Sequence, residues 1–111
     1  MTDPSDPREV VTRYFDAIRT RDVEGVKACF AGDAVLVNVL GTLEGRDAIG
    51  SFYADSAFQV DDLDPHPGPY LVDGDRLAVE IDLTMAGRTQ RVADVFHTSG
   101  GLITRLAIYM I

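Results

Sequence analysis

Three polar side chains stand where strand alternation and helical spacing place apolar ones, and their types could do acid–base and hydrogen-bond chemistry. In residues 89–98, Val92, Asp94 and Phe96 share one face, while Arg91, Ala93, Val95 and His97 share the other. Asp94 therefore lies between two hydrophobes on the inner face. An ionised carboxylate there needs a cation, and no arginine shares its face, so the expected state is a protonated acid able to donate a hydrogen bond. Asn38 shares a face with Ala34, Leu36 and Leu40, which aims its amide into apolar surroundings or a cavity. Tyr14 lies on the inward stripe of a helix with a hydroxyl that needs a partner. Singly, each is readily structural. One inward polar group from a helix, one from an early strand and one from a late strand together point to a pocket.

The elements that must position these groups are legible along the chain. Asp6-Pro7-Arg8-Glu9 is a helix start, with a capping acid, proline at the first helical position and Glu three residues after the cap. Val10, Val11, Tyr14, Phe15 and Ile18 then recur at three-to-four spacing, predicting one buried face through about residue 20. Asp22 caps a second, short helix running to about Phe30, and Gly45-Arg46-Asp47 opens a third in which Ile49, Phe52 and Tyr53 share a face. Residues 34–40 read as a strand stopped by Gly41. Asp73-Gly74 is a turn joining 69–72 to an alternating strand at 76–86, and further turns lead into strands 89–98 and 102–111. The segment Asp61 to Pro69 is expected to be the one irregular connection and a candidate mouth for a site. The fold class is therefore α+β, with three helices from the N-terminal half packed on a curved, mostly antiparallel sheet.

Composition narrows the chemistry. The 111 residues fit a single domain spanning 1–111, at 46% hydrophobic and 25% charged. A net charge of −8 argues against nucleic acid and against acidic membrane surfaces, and favours a neutral or apolar ligand. Cys29 is the only cysteine and reads as a small buried hydrophobe. The acidic start from Met1 to Pro7 has no secretory pattern and no apolar run is long enough to span a membrane, so the expected location is cytoplasmic. His66 and His97 have no metal-ligand spacing, and there is no glycine-rich phosphate loop, so neither a metal nor a cofactor is expected. Asp61-Asp62-Leu63-Asp64 reads as a solvated acidic loop.

Taken together these residues resemble the bacterial Δ5-3-ketosteroid isomerases, within the group sharing the nuclear transport factor 2-like, cystatin-like fold. Val10-Val11-Thr12-Arg13-Tyr14 resembles the family's first helix, whose tyrosine donates to the substrate carbonyl oxygen. Asp22 to Gly25, Phe30 to Ala34 and Gly45 to Tyr53 resemble its second helix, first strand and third helix. Val92-Ala93-Asp94-Val95-Phe96 resembles the strand bearing its protonated oxyanion-hole acid. That family is itself the known instance of a carboxylic acid kept neutral to donate a hydrogen bond, so the role comes with the resemblance, while the neutral state of Asp94 follows from its face. The helix and turn patterns support the fold only; the pair Tyr14 and Asp94 is the specific part.

The resemblance implies a cofactor-free allylic shift that moves the double bond of a 3-oxo-Δ5-steroid into conjugation through a dienolate. Tyr14 and Asp94 would stabilise the oxyanion, and position 38 would carry a proton from C4 to C6. Here that position is Asn38-Val39, where the family has an aspartate followed by proline. An amide cannot accept the proton, and general-base assistance is worth roughly 10²–10⁴-fold, so reduced activity is expected. Asn mimics the protonated base, so a phenolic analogue of the intermediate should still bind. Two accounts fit: a natural member with altered chemistry, or an active isomerase carrying an Asp→Asn change, which the otherwise complete site favours. The resemblance also makes Tyr53 a support for the first donor, Phe52, Phe96 and Met110 candidates for the apolar wall, and the assembly a homodimer. The alternatives are a non-catalytic binder of lipophilic ligands or dimerisation module, or another small-molecule enzyme such as a polyketide cyclase or an epoxide hydrolase. The last needs an inward arginine, which the pattern does not supply.

Overall fold

The computed structural model describes residues 5–111; Met1 to Pro4, the first part of the acidic start, lie outside the described residues. Helix α1, Pro7–Thr20, begins as its sequence dictates. The Asp6 carboxylate accepts the Arg8 N–H at 3.0 Å, Pro7 occupies the first turn, and Val10, Val11, Tyr14, Phe15 and Ile18 are buried. It ends at Arg21, whose left-handed backbone (φ 53) turns the chain into α2, Val23–Cys29, capped by Asp22 accepting the Gly25 N–H at 2.9 Å. Helix α3, Arg46–Asp55, buries Ile49 and Tyr53 and leads into a short 3-10 turn, Ala57–Gln59.

The strands are β1 (Phe30–Asn38), β2 (Gly41–Glu44), β3 (Asp64–Pro67), β4 (Leu71–Asp73), β5 (Arg76–Met85), β6 (Arg88–Ser99) and β7 (Leu102–Met110). They form one mixed sheet in the order β2-β1-β7-β6-β5-β3, with β4 pairing β5 beyond β3. All pairings are antiparallel except β1 with β7. This is the α+β architecture expected from the sequence: three helices on a curved sheet, with the nuclear transport factor 2-like fold.

The expected strand 34–40 ends at Asn38 and turns into the unexpected β2, and two further differences have a tertiary reason. The first strand starts at Phe30, not Ala34, because Phe30 pairs with Ile103 on β7 before the register shifts ahead of Val35. The segment expected to be irregular contains β3, although two of its four residues are proline. It is an edge strand bonded only to β5, and an edge tolerates the missing proline N–H groups.

The two sheet faces are set by register. On the inner face, Leu77, Phe96, Leu106 and Leu36 form one cross-strand row, and Val79, Asp94 and Ile108 form the next. Phe30, Phe96, Leu36, Ile49 and Leu106 are fully buried between this face and the helices. Among the described residues, no helix is long and apolar enough to cross a membrane.

Candidate active site

The inner face and α1, α3 and the 3-10 turn line a partly open cavity of about 130 Å³. Tyr14, Phe15 and Ile18 enter it from α1, Phe52 and Tyr53 from α3, and Asp94 from the middle of β6. Its remaining walls are aliphatic side chains of β5, β6 and β7, together with Ala57, Leu63 and Pro65.

Asp94 is 3% exposed, and its Oδ1 is the one buried side-chain polar atom among the described residues without a hydrogen-bond partner. Burial alone pushes its carboxyl up to about 7 from the ordinary 3.8, with no cation opposing the rise. A carboxyl of this kind exists as the neutral acid over most of the range below neutrality, with an O–H to donate. Native proteins rarely leave such a group unsatisfied without a functional reason.

Tyr14 and Tyr53 complete the polar end of the cavity. Their hydroxyls are hydrogen-bonded to each other, and the rings meet edge to face with centroids 6.2 Å apart. One hydroxyl proton occupies that bond. With Tyr53 donating, the Tyr14 proton is left for a ligand, and the relay polarises it. Burial, first, raises both phenols above their ordinary value, and the Asp94 charge adds to the rise in each, so the three groups face one another electrostatically. Both tyrosines are neutral donors at any ordinary pH. Together with Asp94 they supply hydrogen-bond donors in a largely apolar cavity, where a developing oxyanion gains most from fixed donors.

The other sequence-derived candidates divide. Phe52 and Tyr53 line the cavity, as expected of a wall and a supporting tyrosine. Phe96 does not. It is fully buried beneath Tyr14 and Phe15, with ring centroids 5.6 and 6.0 Å away, and is part of the core that orients Tyr14. Met110 lies on the inner-face register but at the end of β7, where it is 50% exposed and outside the cavity. Asn38 is the largest departure. Extending the β1–β7 register by one residue puts it beside Ile108, two strands from Asp94, or about 10 Å across the sheet. Its amide does not reach into the cavity. Asn38 pairs with Gly41 across the β1–β2 hairpin, and its Oδ1 accepts the Leu40 N–H at 2.9 Å, the local bond that Asn favours at turns. No group of His, Cys, Asp and Glu among the described residues could hold a metal ion.

Leu63 and Pro65 come from the segment 61–69, expected as a candidate mouth, but sequence reasoning singled out neither residue, because the acids around Leu63 mark the run as solvated. The one available signal was the apolar Leu63 between Asp62 and Asp64.

Comparison with known proteins fits this geometry. A polyketide cyclase proposed from Sinorhizobium meliloti is similar over 90% of this chain and 93% of its own, at 26% identity and a TM-score of 0.83. A proposed ketosteroid isomerase from Kribbella flavida is similar over 95% of this chain and 77% of its own, at 21% identity and a TM-score of 0.84. A protein with a ketosteroid isomerase-like fold from Catenulispora acidiphila, in complex with trimethylamine, covers 91% of this chain and 84% of its own at 22% identity, with a TM-score of 0.82. The last two, at their identities, speak for the fold alone. No curated protein matches the chain in sequence. Residues 11–106 match the SnoaL-like domain, and the chain belongs to that family.

Proposed function

We propose that this chain binds an enolisable carbonyl compound and stabilises its oxyanion, in a reaction of the steroid Δ5-isomerase type. The observation that carries the reading is the unsatisfied, buried Asp94 beside the Tyr14–Tyr53 pair in an otherwise apolar cavity. In the proposed reaction a β,γ-unsaturated ketone accepts hydrogen bonds at its carbonyl oxygen from the Tyr14 hydroxyl and the Asp94 carboxyl. Loss of a proton from the carbon between the carbonyl and the double bond then gives a dienolate, whose charge on oxygen these donors stabilise. Return of the proton at the far end of the former double bond yields the conjugated ketone. Position 38 is the proposed proton shuttle. As Asn38 it cannot take the proton, so the oxyanion half of the site stands without its base. The 3-oxo-Δ5-steroid is the substrate that the isomerase resemblance implies.

A second reading has its own support: among the described residues Asp94 is the only carboxyl lining the cavity, which suits a binder of lipophilic ligands that turns nothing over. A phenol distinguishes the two, because a phenolate resembles the dienolate. In the isomerase-type reading the wild type binds phenols, and more tightly as they become more acidic. Tyr14→Phe removes one charge-assisted bond and weakens that binding roughly ten- to hundredfold. Calorimetric titration measures this. Affinity indifferent to phenol acidity and to Tyr14→Phe would leave only the plain lipophilic binder.

A further inference from the structure

The cavity is small, and a fastened segment of chain forms one of its sides. Its buried end holds Tyr14, Tyr53 and Asp94; its rim consists of the half-buried Phe52, Leu83, Met85 and Ile108. One side is closed by Leu63 and Pro65, both buried and both carried by the segment 60–65. Leu63 and Val60 pack on the main core, Asp64 and Pro65 pair with β5 as the start of β3, and Asp61 and Asp62 are exposed.

Fastenings on both flanks hold it in place. From the C-terminal end of α1, the Arg21 guanidinium donates to the Val60 and Asp61 carbonyls, each at 2.8 Å, and Arg19 donates to the Pro65 carbonyl at 3.3 Å. From the other flank, the Asp62 carboxylate accepts the N–H groups of Ala86 and Gly87 at 2.6 and 2.7 Å, clasping the β5–β6 turn. Both backbone positions in that turn have positive φ, 53° at Ala86 and 77° at Gly87, which turns their N–H groups toward one acceptor. Those two bonds hold the Asp62 carboxyl below its ordinary value. An aspartate two bonds deep in a distant turn ties the strap along this side of the cavity.

The volume of this partly open cavity has a chemical meaning. An apolar cavity of about 150 Å³ accepts one benzene molecule, and pockets for drug-sized ligands start at about 300 Å³. At about 130 Å³ the space next to Tyr14 and Asp94 holds one six-membered ring. A tetracyclic skeleton needs several such volumes. We propose that the ligand of this site is a single-ring, enolisable carbonyl or phenolic compound, and that Asp62 is the positioning residue that sets this limit by clasping the strap to the β5–β6 turn. The proposal rests on the oxyanion reading for the polar end of the ligand and replaces the steroid with a one-ring substrate.

The test separates ring count from polarity by using four probes: benzene, naphthalene, phenol and 2-naphthol. Titration of the wild type is expected to show at least a tenfold preference for each one-ring probe over its two-ring counterpart. In Asp62→Ala the two-ring probes gain affinity and that preference falls at least threefold, while phenol binding stays within a few-fold of wild type and so reports an intact fold. Asp62→Asn, which keeps one acceptor oxygen, gives an intermediate preference. Equal affinity of the wild type for one- and two-ring probes overturns the size limit. An unchanged preference in Asp62→Ala overturns the role of the clasp. Failure of the oxyanion reading has a different signature: phenol then binds no better than benzene, whatever the ring-count preference.

Discussion

Replacing Asp94 by Asn changes how stability depends on pH, and the size of the change follows from the burial of one carboxyl. Asn keeps the shape of Asp94 and cannot ionise. In the wild type, Asp94 is protonated in both the folded and the unfolded chain below its ordinary value of 3.8. Above that value the unfolded chain loses the proton while the folded chain keeps it until about pH 7. The folded state therefore binds more protons across this window, and stability falls as pH rises, by about 1.4 kcal/mol per pH unit. The stabilisation is fully present below pH 3.8 and lost by about pH 7, a total of about 4 kcal/mol. Asp94→Asn has no such slope. Urea denaturation of both proteins between pH 4 and pH 8 measures it. The other acidic groups, which make up most of the 18, are common to both proteins and cancel in the difference. The expected difference, wild type minus variant, declines steadily to about pH 7 and then levels. A difference that is flat or rises with pH would mean that Asp94 is ionised and paired, and the argument for a neutral donor would fall.

Two further outcomes test the rest of the proposal. Released from the Leu40 N–H and turned along the inner face past Ile108, which lines the cavity, an Asp at position 38 would supply the missing base, so Asn38→Asp should raise the rate of conversion of 3-cyclohexenone to its conjugated isomer by roughly 10²-fold or more, followed by enone absorbance. The same assay with 5-androstene-3,17-dione shows how far a steroid is accepted, and no gain with either substrate removes the disabled-base account. The homodimer that the isomerase resemblance implies would use the outer side of the sheet, where Ala78, Val95, Ala107 and Val37 lie in one cross-strand row. Val95→Arg should convert a dimer to a monomer in sedimentation, and a wild type that already sediments as a monomer would refute the assembly.

Much of this protein was readable from local signals. The Asp6-Pro7 start and the spacing from Val10 to Ile18 specify α1 and the inward aim of Tyr14, since capping and helical periodicity act within a few residues. Alternation along β6 specifies the inward aim of Asp94. The absence of a same-face arginine already implied its neutral state, and burial is the cause of its raised pKa. Asn38 shows where this logic stops. Alternation gives its face correctly, but a polar amide at a hairpin end has a local partner, the Leu40 N–H, and takes it.

What only the tertiary structure decided depends on partners far away in the chain. Asp62 is one of several acids in an exposed run, and nothing nearby distinguishes it. Its role comes from the Ala86 and Gly87 N–H groups, which the β5–β6 turn brings within 2.7 Å. Arg21 acquires its acceptors, and β3 its strand form, in the same way. The sequence by itself determined the elements, their inner faces and the chemical types that meet inside. How much space they leave beside Tyr14 and Asp94 depends on long-range contacts, the strap's hydrogen bonds among them. Such bonds are set by where separate elements come to rest against one another, and that information is carried by the packed whole rather than by any local stretch of residues.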